Sequence, residues 1–462
     1  MIRKHLVRGA EVDCVYLDDL TTAGTTGTPY TNPFDWARLH AGYTENPKGV
    51  PGLQIDGYFL DEDSQTTRTP GNYYGNKKYP YDSQFVIRFP NNWEGKLVIT
   101  GAPGVRGQYA NDFIIGDFVL AKGYAFASTD KGNSGLRFYL ADQRPGAAMY
   151  EWHRRIKQLT EAAKEAAEKY YGEKPVRTYI TGTSNGGYLT RYALENHPDL
   201  YDGGVDWQGP LWTDPEGQPA SDPDGGPNLL TFLPPTLRHY PEYRDIQSSD
   251  ALEEIIRAGF PKKSVFLWPY YYENYWGSTQ RIYREEFDPY YPGPEIEYRY
   301  EKSLNPQEKD PAIQRLKLTQ APEIKNGVKK ISLTGNIGRR LITLHGTLDA
   351  LLPITKTSDR YAELVKEAKK EHLHRYYKIE GGTHIDSLYD YTDAGPSPEN
   401  PNPEFRENLR PILPCYRAAF ERLMEWVEDE KPPPEIETVP KPEELDAREI
   451  ANRCPTLQRL AV

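Results

Sequence analysis

The chain has 462 residues and a formal net charge of −11, from 67 acidic and 56 basic residues. That balance argues against a polyanionic partner, because neutralising phosphates takes a concentrated basic surface; the charge itself reads as solubility. No run approaches the roughly 18 apolar residues that a membrane-spanning helix needs, and Cys14, Cys415 and Cys454 have no zinc-site spacing.

This length accommodates one large α/β domain with insertions. One disulfide is open to the three cysteines, without the sequence saying whether it forms. Met1-Ile-Arg-Lys-His-Leu-Val-Arg is charged, and no apolar signal region follows it. A cytoplasmic protein is therefore expected, with a secreted protein whose leader has been removed as the alternative. Forty prolines, high charge and only three methionines would suit a heat-adapted protein.

Residues 1–80 are rich in Thr, Gly, Pro and Asn and read as a loop-heavy or strand-containing N-terminal extension. A core begins at 81 and runs to 209. Strands are expected at 81–90, 96–100 and 123–129, the second running into Gly101-Ala102-Pro103-Gly104. A helix is expected over 147–170, where Met149, Trp152, Ile156, Leu159, Ala163, Ala166 and Tyr170 recur in steps of three and four. A short strand follows at 176–181, then a helix from just after Ser184 to about His197, then a strand at 204–209. Strands alternating with helices at this spacing predict a mostly parallel sheet.

Residues 210–338 show no clear alternation. They hold Trp212, Trp268, Tyr270, Tyr271, Tyr272, Tyr275, Trp276, Tyr290 and Tyr291. They read as an inserted subdomain whose aromatic rings either pack its own core or face a bound group. The core resumes over 339–430, with strands at 341–344 and 375–379 and a helix at 411–427. A polar tail occupies 431–462, opening on Lys431-Pro-Pro-Pro.

The strongest chemical signal is Gly182-Thr183-Ser184-Asn185-Gly186-Gly187. Placed after a strand and before a helix, this pattern describes a sharp turn that lifts a serine hydroxyl above the strand ends. Side chains two residues either side of the serine would collide with the turn, so both positions call for glycine. A serine hydroxyl is a weak nucleophile until a base takes its proton. Downstream, the strand at 341–344 runs into His345-Gly346-Thr347-Leu348-Asp349, and the strand at 375–379 into Glu380-Gly381-Gly382-Thr383-His384. Both residues thus fall on the sheet edge where ligands bind. Ser184 is expected as nucleophile, His384 as the base that takes and returns its proton, and Asp349 as the acid that fixes the imidazole tautomer. An oxyanion hole needs two backbone N–H groups; Asn185 and Gly104 are expected to supply them, with Val105 as the substitute for Gly104.

Other residues compete for these roles. His153 lies one place off the apolar stripe and reads as structural, and His197 reads as a helix cap. His345 reads as a packing or hydrogen-bonding residue and is the reserve base. Asp130, after the strand at 123–129, is the reserve acid.

The segment Gly182–Gly187 resembles the α/β-hydrolase superfamily, and the segments ending in Asp349 and His384 resemble its acid and histidine blocks. Gly123-Tyr-Ala-Phe-Ala-Ser-Thr-Asp130 and His197-Pro-Asp-Leu-Tyr-Asp202-Gly203 are similar to blocks of tannases, feruloyl esterases and hydroxybutyrate-oligomer hydrolases. The resemblance covers roughly 85–210 and 338–428. It implies an α/β-hydrolase fold, with a lid subdomain between serine and acid. Fungal-type tannases and feruloyl esterases carry bridged cysteines beside the serine and the histidine. Here Thr183 and Ile385 stand in those places, so an aromatic-acid substrate does not follow from the resemblance.

The expectation is a carboxylic ester hydrolase acting through an acyl-enzyme, needing no metal or cofactor. Its partner is a small-molecule or oligomeric ester with an aromatic or hydroxyacyl part, with no nucleic acid and no membrane span. The oligomeric state is left open. The alternatives are a serine peptidase or amidase, whose peptide-end pocket could draw on Glu273, Glu285 and Glu286, and a catalytically silent binding protein.

Overall fold

The computed structural model describes residues 6–60, 74–79, 81–133, 135, 147–217, 228–288, 322–392, 395 and 397–458. In chain order the elements that frame the site are β1 (Ala10–Leu17), β2 (Gly52–Phe59), β3 (Gln84–Pro90), β4 (Lys96–Gly101), β5 (Ala125–Thr129), α1 (Ala147–Tyr171), β6 (Arg177–Thr183), α2 (Asn185–Asn196) and β7 (Gly203–Trp207). Then come α3 (Leu229–Ile246), α4 (Ser249–Arg257), α5 (Gly277–Phe287), α6 (Pro322–Lys329), β8 (Arg340–Gly346), α7 (Ser358–Glu367), β9 (His374–Ile379), α8 (Leu413–Asp429) and β10 (Thr438–Val439).

Strand sequences dictate a sheet covered on both faces. Successive side chains of a strand point to opposite faces. Leu97 and Ile99 of β4 join one apolar cluster with Met149, Trp152 and Ile156 of α1, while Val98 between them joins a second cluster with Phe420 and Leu423 of α8. β6 repeats the division, with Ile180 in the first cluster and Tyr179 in the second. Strands with both faces covered read as continuous apolar runs, and that condition suits parallel pairing.

The ten strands form one sheet in the order β1-β2-β3-β5-β4-β6-β7-β8-β9-β10. Pairings from β5 through β10 are parallel; β1, β2 and β3 continue antiparallel on one side. This mostly parallel sheet, flanked by helices and carrying a sharp serine turn after β6, is the α/β-hydrolase fold that the sequence predicts.

Several boundaries differ from the expected ones. The segment before residue 81 contributes β1 and β2 to the main sheet, so the sheet begins well inside the expected extension. Tyr170, placed on the buried stripe of α1 by its spacing, is 37% exposed and stacks on Phe89 at the helix end. In the expected insertion the described residues include the helices α3 to α6, with shorter helical turns between α4 and α5. Trp212, Trp268, Tyr271 and Trp276 are fully buried in the apolar cluster; Tyr290 and Tyr291 lie outside the described residues. The polar tail returns to the sheet through β10, and Cys454 bonds Cys415 of α8 with a Cα–Cα distance of 5.0 Å. Cys14, on β1, takes no part in this bridge. Among the described residues, no helix is long and apolar enough to cross a membrane.

Candidate active site

Three parallel strands aim their C-terminal ends at one place. Ser184 follows β6, Asp349 follows β8 and His384 follows β9. The turn at Ser184 is tight enough to force its backbone to φ 55° and ψ −121°, a region that costs a non-glycine residue energy. A Cβ at position 182 would lie 2.6 Å from the Gly186 carbonyl carbon, and one at 186 would lie 2.4 Å from the Gly101 oxygen. Both contacts are closer than carbon atoms tolerate, so β6, α2 and β4 approach closely only because those two residues are glycine. The Ser184 N–H donates to Trp207 O at 2.9 Å, which ties the turn to β7.

The three side chains meet. His384 Nε2 lies 3.1 Å from Ser184 Oγ, and His384 Nδ1 lies 2.8 Å from Asp349 Oδ2. Asp349 is fully buried. Its Oδ1 accepts the backbone N–H groups of Leu351 and Leu352, each at 2.8 Å. Burial alone would push this carboxyl up; His384 first, together with His345, outweighs it and holds the group well below the ordinary carboxylate range. An ionised Asp349 is an acceptor only, so it fixes the proton of His384 on Nδ1. That leaves the Nε2 lone pair facing the serine hydroxyl.

The structure sorts the rival residues. His345 is fully buried, with Nε2 2.9 Å from Leu352 O and 3.2 Å from Asp349 Oδ2, and Nδ1 2.7 Å from Ser358 Oγ. Both ring nitrogens are thus engaged, which leaves the reserve base as a brace for the acid. Ser358 in turn accepts from Arg191 Nη2 at 2.7 Å, and Arg191 Nε donates to Asp206 at 2.6 Å. His153 stacks on Tyr192 and shares a 2.7 Å hydrogen bond with Tyr188; burial pushes its imidazole down to about 3. Asp130 accepts the backbone N–H groups of Gln84 and Gly132 at 3.0 and 2.7 Å, whereas His384 Nδ1 is held by Asp349. Glu285 pairs with Arg281, and Glu286 accepts from the first N–H groups of α1. Neither these two nor Glu273 lines the pocket around Ser184.

That pocket has an empty volume of about 970 Å³ counted out to its solvent mouth. Gly104 and Asn185 both stand in its wall. Asn185 opens α2, where a backbone N–H has no intrahelical acceptor. Its side chain donates to Gly104 O at 3.2 Å and accepts from Tyr283 at 2.8 Å, so the two proposed N–H donors are fastened to each other and to α5. Gly104 itself has φ +48°.

Some positioning contacts escaped the sequence reading. Gln208, just past β7, donates through Nε2 to His384 O at 2.9 Å, and its own N–H donates to Leu344 O at 2.7 Å. Its only sequence signal was a polar side chain at the sheet edge. The inserted segment also grips both loops: Trp276 Nε1 donates to Ala350 O at 2.6 Å, and Tyr271 and Thr383 share a 3.2 Å hydrogen bond. Among the described residues no group of three or more His, Cys, Asp or Glu is arranged to hold a metal ion.

Comparison with known proteins finds likeness over part of the chain. Residues 74–207 match the family model for tannase and feruloyl esterase. A mono(2-hydroxyethyl) terephthalate hydrolase of Piscinibacter sakaiensis is 28% identical over 138 residues, 27% of this chain and 23% of that protein. A protein of Aspergillus terreus named "Probable feruloyl esterase B-1" is 23% identical over 185 residues, 37% of this chain and 33% of that protein. The matches therefore span a third or less of each relative's length. An esterase from Aspergillus oryzae superposes with a TM-score of 0.49 at 13% identity, over 94% of this chain and 89% of that one. The chain has the α/β-hydrolase fold and, across residues 74–207, is similar to the tannase and feruloyl esterase family.

Proposed function

We propose that this chain is a carboxylic ester hydrolase that works through an acyl-enzyme on Ser184. One observation carries the reading: Ser184 Oγ, His384 and Asp349 stand in hydrogen-bond sequence at 3.1 and 2.8 Å on the rim of one sheet. In the reaction His384 Nε2 takes the hydroxyl proton as Oγ attacks the ester carbonyl carbon. The tetrahedral oxyanion lies against the N–H groups of Asn185 and Gly104. The imidazolium then protonates the leaving alcohol oxygen, the acyl group stays on Ser184, and a water deprotonated by His384 releases it as the acid. Asp349 stabilises the imidazolium in both halves.

The pocket's wall includes Tyr74, Tyr275 and Tyr283, flat faces with polar edges that suit an ester bearing an aromatic or hydroxyacyl group. Residues 210–338 act as a lid subdomain in this reading. The Cys415–Cys454 bridge favours the secreted alternative over the cytoplasmic one, because cytosolic thiols are ordinarily kept reduced.

The test is a panel of p-nitrophenyl acetate with feruloyl, galloyl and 3-hydroxybutyrate esters, run against aminoacyl p-nitroanilides. Turnover of esters well above that of the anilides is expected. Hydrolysis of the anilides with the esters left intact would replace this reading with a peptidase.

A further inference from the structure

The pocket wall has an unbalanced charge that ester cleavage itself does not use. Among the described residues, Arg106 and His384 are the only basic side chains lining it, and no Asp or Glu lines it. In a chain of net charge −11, a cation without a carboxylate partner is conspicuous. Arg106 is half-buried. Its Nη1 donates to Phe34 O at 3.2 Å and Asp35 O at 2.6 Å, both of them backbone oxygens. Its guanidinium carbon lies 5.4 Å from the centre of the Tyr74 ring. These contacts anchor one nitrogen and leave Nη2 and Nε without protein acceptors among the described residues. The nearby Asp35 carboxylate makes no ion pair with Arg106 and accepts the N–H groups of Gly107 and Tyr109 at 2.7 and 2.8 Å. Burial pushes that carboxyl up to about 7, while the Gly107 N–H and Arg106 pull it back.

A rigid, partly desolvated guanidinium with two open donors matches a carboxylate in geometry and charge. We propose that Arg106 is an anion subsite of the Ser184 pocket, and that the ester this pocket takes carries a carboxylate, as a monoester of a dicarboxylic acid or an ester of a hydroxy acid does. The proposal rests on the ester-hydrolase reading of that pocket and narrows its substrate class. It involves no covalent step: Arg106 holds the remote anion while the ester bond is cleaved at Ser184.

Two matched pairs test it. 4-Acetoxybenzoate against 4-acetoxybenzamide places the charge on the alcohol side; monomethyl terephthalate against methyl 4-carbamoylbenzoate places it on the acyl side. The wild-type protein should favour the anionic member of at least one pair by roughly tenfold or more in kcat/KM at low salt, mainly through KM, as a charge-assisted contact of ordinary strength gives. Added salt should erode the preference. R106Q should bring the ratio close to one, and R106K should retain part of it. Because Arg106 also ties down Phe34 and Asp35, R106Q and R106K carry a structural cost; the wild-type salt series does not depend on it. A wild-type ratio near one in both pairs, or a ratio that R106Q leaves intact, overturns the proposal. Calorimetric binding of benzoate against benzamide to the same proteins separates the two readings. Carboxylate preference without ester turnover would sink the hydrolase and keep the subsite; turnover of the neutral esters without any preference would do the reverse.

Discussion

Ser184→Ala is expected to fold normally and to lose roughly a millionfold in kcat for ester hydrolysis, the scale on which removing a serine nucleophile acts in a triad of this kind. The fold should survive because the hydroxyl's recorded hydrogen bond is the one to His384 Nε2, whose other nitrogen remains held by Asp349. Alanine keeps the Cβ that already tolerates φ 55° at this turn, so no new strain enters. What remains is the activity of the oxyanion donors and the pocket acting on a water molecule. The comparison is turnover of p-nitrophenyl acetate by wild type and variant, with thermal melts as the control. A variant that melts like wild type and keeps a tenth of its rate would remove Ser184 from the mechanism.

Asp349→Asn is expected to lower kcat by about 10⁴-fold, for a reason written in its contacts. All four hydrogen-bonding neighbours of this carboxylate are donors: Leu351 N, Leu352 N, His384 Nδ1 and His345 Nε2. An amide presents one oxygen and one NH₂ group to that set, so its NH₂ must face either the two backbone N–H groups or the two imidazoles. In the second arrangement His384 takes the other tautomer and its proton moves to Nε2, where it can no longer accept from Ser184. In the first, two buried backbone donors lose their acceptor, at about 1–3 kcal/mol each. The substitution should therefore lower the melting temperature as well as the rate, whereas Ser184→Ala lowers the rate alone. Equal kcat in Asp349→Asn and wild type would show that the carboxylate does not orient the base.

The parts of the fold that the sequence made legible are those where burial is uniform. β4 and β6 are apolar on both faces and stop at glycine-rich turns, so the strands, the serine turn and the parallel sheet could all be anticipated. Within the extension read as loop-heavy or strand-containing, composition did not place β1 and β2. β2 carries Gln54 and Asp56 into the interior, where Gln54 accepts from Arg88 at 2.9 Å and Asp56 accepts from the Tyr109 hydroxyl; buried polar partners break the hydrophobic pattern that marks a strand. β1 is an edge strand, with most of its residues only half-buried. In the insertion, α3 contains Pro234, Pro235 and Pro241, residues that ordinarily break helices, and its helical period was lost for that reason.

The site divides along the same line. Ser184, Asp349 and His384 each follow a recognisable strand, so the glycine pattern and the strand ends together nominated them. Gln208, His345 and Arg106 take their significance from partners 176 positions away, across a buried acid, or around a pocket. Such relations exist only once the chain is folded. His345 shows the difference clearly: its position marked a packing or hydrogen-bonding residue and reserve base, and only its contacts name the acid as what it supports.

The most direct measurement is the mapping of a fluorophosphonate adduct by peptide mass spectrometry, alongside the fall in ester turnover during labelling. One adduct is expected, on the peptide containing Ser184, accumulating in step with lost activity and absent when His384 is replaced by glutamine. Loss of turnover with Ser184 unmodified, or an adduct on Ser184 with turnover intact, would contradict it.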